Sequence, residues 1–353
     1  MIIGIMGRKM RGSFMKKRIR TFDIAKGIAI ILVVFGHALQ GIRDSQGISP
    51  TSAYSSIFYI CSIIYTFHMP LFFFVSGIFV TSWSRRRFSV ALMQKVKTLV
   101  IPYFIWTVIT GSFMQLASRY TNNGLGFKNI LMSWWVPFSE YWFLYVLFFT
   151  FLIYYLFLNF FNNGLNILLV TSIVLYFLIP VTPKLWIINF IEQYLVFFVL
   201  GSFLSKSILS AHQVLFSTKN LYISITLFVV LTVGWIYLFA TQEHSVGTNY
   251  YKLIMAFSGI WMTLSVSNEI DSKLVKCAIF FNKTGKDSMA IYVMHLLPLA
   301  GSRIVVIKMM HLTNLWVIVI LITLISLAAC YIVNWIISKL KLGQFLFGRS
   351  ELQ

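Results

Sequence analysis

From Phe22 to Ser338 the chain is a succession of apolar stretches of about twenty residues, each long enough to cross a hydrocarbon core about 30 Å thick. They fall at 22–42, 54–80, 98–118, 141–161, 165–181, 186–204, 220–240, 251–268, 288–308 and 313–338. The boundary between the fourth and fifth is the least marked and rests on Asn162-Asn163-Gly164. Only 11% of the 353 residues are charged and 59% are hydrophobic, whereas a soluble domain carries roughly 25% charged residues. Disorder is excluded for the opposite reason, because 34 Phe, 17 Tyr and 10 Trp cannot remain solvated. The expected fold is all-α, a polytopic membrane helical bundle of about ten transmembrane helices.

The net charge of +20 is distributed in short clusters between the apolar stretches, not along a folded basic face, so nucleic acid is not an expected partner. The clusters fix an orientation instead. With the N-terminus inside, twenty-one cations fall on the cytoplasmic side, among them Arg8 to Arg20, Arg85–Arg87, Lys273 to Lys286 and Lys339 to Arg349. Six fall outside: Arg43, Arg119, Lys128, Lys184, Lys252 and Lys308. The excess of inner cations predicts both termini in the cytoplasm. Residues 1–20 then form a basic cytoplasmic segment, 21–340 the transmembrane domain and 341–353 a short cytoplasmic tail. The apolar patch Met1–Met6 is too short for the core of a signal peptide, and Met10 and Met15 leave later translation starts open.

Cys61, Cys277 and Cys330 are far apart, with no Cys-x-x-Cys, and point to neither a disulfide framework nor a metal site. The longest expected loops, roughly 119–140 outside and 269–287 inside, run only about twenty residues. Chemistry must therefore take place in the membrane body or at its faces.

An ionisable side chain inside a span costs several kcal/mol unless it faces the bundle interior or water, so each is a candidate for function. The first stretch carries Asp23, Lys26 and His37. At about 100° per residue Lys26 and His37 lie about 20° apart in bearing, with Asp23 about 40° from His37, so one stripe holds all three. The rise of the helix sets His37 roughly 16 Å beyond Lys26. Arg20 and Lys26 at the cytoplasmic mouth are suited to phosphates, and His37 deeper in is suited to moving a proton. Membrane anchoring of Arg20 and Lys26 is the plainer alternative.

The second stretch supplies Phe67-His68-Met69-Pro70 and, further on, Ser76-Gly77, where another helix or a ligand is able to come close. In the ninth, Ser288, Tyr292 and His295 share one face, with Gly285 ahead of them as an expected helix breaker. Glu192 adds a carboxylate that would orient a histidine or pair with Arg303, and Glu140 stands at the outer start of the fourth stretch. Three histidines, a Tyr and these carboxylates are an inventory for proton transfer. No phosphate-binding loop, His-Glu-x-x-His or Gly-x-Ser-x-Gly pattern competes with it.

Arg20-Thr-Phe-Asp23-Ile-Ala-Lys26-Gly27 with His37 eleven positions after Lys26, followed by Phe67-His68-Met69-Pro70-Leu-Phe-Phe-Phe-Val-Ser76-Gly77, resembles the acyltransferase-3 family of integral membrane O-acyltransferases. Tyr141-Trp142-Phe143-Leu144, and Gly285 through Ser288 to Tyr292 and His295, extend the likeness over about 20–338. The resemblance implies transfer of an acyl group, usually acetyl, from cytoplasmic acetyl-CoA to a hydroxyl of a cell-surface glycan, in the cytoplasmic (inner) membrane of a bacterium. It is closest to the stand-alone members that modify capsule, O-antigen or exopolysaccharide, because the sequence ending at Gln353 carries no fused esterase-like domain.

The resemblance makes Lys26 and His37 the central pair and links the Arg85, Arg86, Arg87 cluster to activity. Arg20, Asp23, Lys26 and Arg85–Arg87 are accordingly expected to hold acyl-CoA. His37 is the expected general base, with His68, Ser76, Tyr292, His295 and Glu192 to orient it or polarise the thioester. The partners implied are acyl-CoA, a glycan acceptor and the bilayer. A proton-coupled transporter of a glycan or small solute would share the span count and the buried histidines, and stands as the alternative.

Overall fold

The computed structural model describes residues 19–43, 52–116, 126–183, 185–240, 246–310, 312 and 314–348. The basic segment before Ile19, the outer cations Arg119 and Lys184, and the tail after Gly348 lie outside the described residues. Every regular element described is helical. The main helices are α1 (Arg20–Arg43), α2 (Ser52–Ile78), α3 (Phe88–Leu116), α4 (Trp142–Phe160), α5 (Gly164–Leu178) and α6 (Trp186–Phe203). They continue with α7 (Thr218–Ala240), α8 (Val246–Lys273), α9 (Val275–Lys286), α10 (Ser288–Met294), α11 (Leu296–Ile304) and α12 (Leu315–Lys339).

Among the described residues eight helices are long and apolar enough to cross a membrane, or nine if the bent pair of α10 with α11 counts as one. The stretch at 165–181 differs from expectation: α5 has 15 residues, about 22 Å of helix, short of a full hydrocarbon core. Its separation from α4 is the one read from Asn162-Asn163-Gly164, and Asn163 takes the left-handed backbone (φ 60°) that Asn tolerates better than most residues.

Helix α1 runs through the centre. Fourteen of its 24 residues are buried, and it packs against α2, α8, α9 and α12. Glycine permits the closest of these contacts. A Cβ on Gly27 would stand 2.1 Å from the Phe281 carbonyl oxygen, and one on Gly285 would stand 1.7 Å from that of Asp23, so α1 and α9 meet backbone to backbone. Two expectations change here. The segment 269–287 is not a loop, because α8 continues to Lys273 and α9 occupies 275–286. Gly285 is not a breaker but the contact point of α9, and the chain turns at Asp287 (φ −90°, ψ 1°).

Helices α2 and α6 cross in the same way at Gly77 and Gly201, whose Cβ atoms would strike the carbonyl oxygens of Phe198 and Phe74. Of the two occupants expected at Ser76-Gly77, the structure shows a neighbouring helix at Gly77. The outermost described span is α7, where Tyr222, Val229, Val230, Val233 and Tyr237 are exposed and apolar, the surface that hydrocarbon would cover.

Candidate active site

Three histidines predicted from sequence meet at the far end of the α1 stripe. The His37 and His295 rings lie 5.2 Å apart between centroids, and Tyr65 bridges toward the third, with its ring 5.8 Å from His37 and 4.9 Å from His68. Each partner is delivered by a local device. Pro70 has no backbone N–H to give to Thr66, yet α2 continues across it, and His68 Nδ1 donates to the Ile64 carbonyl at 2.7 Å. Pro298, likewise unable to donate to the Met294 carbonyl, breaks the ninth stretch, and α10 and the helix after it are bent by 52° with His295 at the break. His295 Nδ1 donates to the Tyr292 carbonyl at 2.5 Å, while its buried Nε2 has no hydrogen-bond partner among the described residues.

The carboxylate at this site comes from the turn before α4. His37 Nε2 stands 3.6 Å from Glu140 Oε2. Two reciprocal bonds carry Glu140 there: Tyr141 donates to the Val293 carbonyl at 2.7 Å, and the Tyr292 hydroxyl donates to the Glu140 carbonyl. Thr110, 2.7 Å from the Tyr141 hydroxyl, completes the lock. Residues 139–141 are thereby fastened to α10, with Ser139 at φ 44° closing the turn.

Hydrogen bonding assigns the tautomer of His37. Tyr65 has one proton and donates it to Gln40 Oε1 at 2.9 Å. Its oxygen, 3.0 Å from His37 Nδ1, therefore accepts from that nitrogen, which leaves the lone pair on Nε2, the side of Glu140. Tyr65 and Gln40 were not singled out in the sequence. The available signal was helical spacing, since Tyr65 precedes His68 by three residues and Gln40 follows His37 by three. Glu140 was noted only as a carboxylate at the outer start of a span.

The other end of the stripe is ionic. Lys26 Nζ lies 2.7 Å from Asp23 Oδ1 one turn earlier. Arg20 Nε lies 3.2 Å from Asp271 Oδ1 of α8, where Arg20, Thr21, His212, Asn268 and Asp271 line a cleft of about 680 Å³. Arg85, Arg86 and Arg87 are exposed at the same end of the bundle, where Phe79 packs on Phe22 with ring centroids 5.3 Å apart, but they do not line that cleft. Arg86 instead donates to Gln94 at 2.6 Å.

Two predicted residues stand apart from the imidazoles. Glu192 is buried and accepts from Thr182 at 2.9 Å and from Asn189 at 3.2 Å. Arg303, its expected partner, donates to the Gly41 carbonyl at 3.1 Å. Ser76 is half-buried two turns beyond His68 on α2. Among the described residues no group of three or more His, Cys, Asp or Glu is disposed to hold a metal ion.

Comparison with known proteins covers nearly the whole of this architecture. The acyltransferase-3 family profile, described as an acyltransferase domain, matches residues 19–335. The chain is 31% identical over 211 residues to the Nodulation protein NolL of Sinorhizobium fredii, a match spanning 57% of this chain and 52% of that protein. To the Nodulation protein NolL of Mesorhizobium japonicum it is 36% identical over 112 residues, 29% of this chain and 27% of that protein. The chain thus spans about half the length, or less, of the curated relatives it matches. No solved structure matches.

Proposed function

The chain belongs to the acyltransferase-3 family, and from that premise we propose that it is a membrane O-acyltransferase moving an acyl group, acetyl first among candidates, from cytoplasmic acyl-CoA to a hydroxyl of a cell-surface or exported glycan. The observation that carries the reading is the setting of His37: Nδ1 tied to Tyr65, and Nε2 facing Glu140 at 3.6 Å. An imidazole so held has one free basic nitrogen and a carboxylate waiting for the charge it acquires.

In the proposed step the acceptor hydroxyl oxygen bonds to the thioester carbonyl carbon while His37 Nε2 takes the hydroxyl proton. The carbon–sulfur bond then breaks, and the imidazolium returns the proton to the departing thiolate, so the base is regenerated. Glu140 stabilises the imidazolium between the two transfers. General-base assistance of this kind contributes roughly 10²–10⁴-fold. The histidine cluster is fully built from α1, α2 and the α10–α11 break, so His68, His295 and Tyr292 fix the geometry in which His37 works.

The donor is assigned to the opposite end of the stripe, with both chain termini in the cytoplasm. Arg20 and Lys26 face it there, Asp23 steadies Lys26, and Arg85–Arg87 add charge for the nucleotide phosphates. The pantetheine arm of coenzyme A would carry the thioester inward along α1.

Proton NMR of the surface polysaccharide from a host lacking the gene, complemented with wild type or with His37→Ala, tests the reading. O-acetyl methyl signals should vanish on deletion and return only with wild type. Unchanged ester content, with polymer export altered instead, would overturn acetyl transfer.

A further inference from the structure

A second cavity, of about 390 Å³, opens beside the histidine cluster, and its wall includes Tyr65 and Gln40, the two residues hydrogen-bonded in line with His37. Its size lies within the roughly 300–1,000 Å³ typical of small-ligand sites. The lining is of a mixed kind. Tyr65, Tyr194 and Trp235 present aromatic surface, against which the C–H faces of a sugar ring pack, while Gln40 and Gln193 offer amides to its hydroxyls. Lys252 adds a positive charge beside the Arg43 guanidinium, and among the described residues no Asp or Glu lines the cavity.

The placement of these cations is informative. The sequence puts only six cations on the outer side, and two of them line this one cavity. Lys252 comes from α8 and its Nζ sits 5.7 Å from the centroid of the Trp235 ring, while the Arg43 guanidinium carbon lies 5.9 Å from that of Phe58. Aromatic rings of the wall thus hold both charges at the cavity. A neutral sugar needs no such charges, whereas a carboxylate or phosphate does.

We propose that this cavity is the acceptor subsite and that it selects a sugar bearing a negative charge, held by Lys252 beside Arg43 while the hydroxyl to be esterified reaches past Tyr65 to the Nε2 side of His37. The inference rests on the acyl-transfer reading above. The charged group, a carboxylate or a phosphate, then serves as the handle that sets which hydroxyl reaches the base.

The test is calorimetric binding to the full-length protein in phosphatidylcholine nanodiscs, with p-nitrophenyl glucoside, p-nitrophenyl glucuronide and the 6-phosphate of the glucoside as probes. Wild type should bind one or both anionic probes about 10-fold more tightly than the neutral one, and Lys252→Gln should erase that preference while Lys252→Arg restores most of it. The probe that loses affinity in Lys252→Gln identifies carboxylate or phosphate as the handle. Equal binding of all three probes by wild type, or an equal loss for all three in Lys252→Gln, would overturn the proposal. So would displacement of the anionic probes by phosphatidylglycerol in the nanodisc, abolished by Lys252→Gln, because the charge would then belong to a lipid headgroup. Thiol release from acetyl-CoA by the wild-type protein is measured alongside. Its absence with anion discrimination intact sinks acyl transfer and leaves an anionic-sugar site, whereas its presence without discrimination sinks only the subsite.

Discussion

The two ends of the α1 stripe are built on different principles. At the Arg20 end, Lys26 is satisfied within its own helix by Asp23, one turn away at 2.7 Å. At the other, His37 draws its neighbours from across the fold: Tyr65 on α2, Glu140 in the turn before α4, and His295 at the break after α10. The difference teaches that a fixed charge near a membrane face needs only one partner with solvent at hand, Asp23 of the same helix for Lys26 and Asp271 of α8 for Arg20. A titratable group deep in the body has to be managed by the tertiary structure, because nothing in hydrocarbon would satisfy it.

The comparison breaks most sharply at His37. His37→Ala should lower acyl transfer by about 10²–10⁴-fold, measured as radiolabel moved from acetyl-CoA to acceptor by protein with wild-type thermal unfolding. Near-wild-type transfer in such a sample would remove the base from the mechanism. Glu140→Gln should follow with a loss of about 10–100-fold, because the side chain that remains is neutral and no longer balances the imidazolium. If Glu140→Gln retained full transfer, the 3.6 Å approach to His37 would be a packing contact and the deep end of the stripe would reduce to imidazoles alone.

The same contrast explains what the sequence made legible. The stripe itself followed from helical spacing, since Asp23, Lys26 and His37 share a helix and the structure keeps them on one helix. The apolar stretches became helices for the same reason, and Pro70 and Pro298 mark the places where backbone donors are lost. What could not be read was which distant segment would meet His37. Glu140 is brought to it by the Tyr141 and Tyr292 hydroxyls gripping each other's neighbouring backbone, a pairing between positions 152 residues apart. Glu192, the more deeply buried of the two carboxylates, is turned to Thr182 and Asn189 instead, and no periodicity separates them. Segment 269–287 misled because its Lys-rich composition reads as a loop, whereas glycine at 27 and 285 draws it in as a helix against α1.

The smallest effects belong to the ionic end, and there the sign matters more than the size. If Lys26 serves the donor, Lys26→Met should raise the KM for acetyl-CoA by about 10-fold with kcat changed far less, since a charge that grips phosphate equally in the ground and transition states contributes uniform binding. Asp23→Asn removes the carboxylate that competes with phosphate for the Lys26 ammonium, 2.7 Å away, so it should leave KM unchanged or lower it by about threefold. A purely structural pair predicts the reverse. Losing either member would then leave its buried or half-buried partner uncompensated, and both variants would unfold at lower temperature with KM untouched. Steady-state kinetics on the two variants beside wild type, with thermal unfolding followed on the same samples, separates these outcomes. A rise in KM for Lys26→Met with none for Asp23→Asn places the donor at the Lys26 end of the stripe, whereas matched losses of stability reduce that end to a helix anchor and leave the donor phosphates to Arg20 and the Arg85–Arg87 cluster.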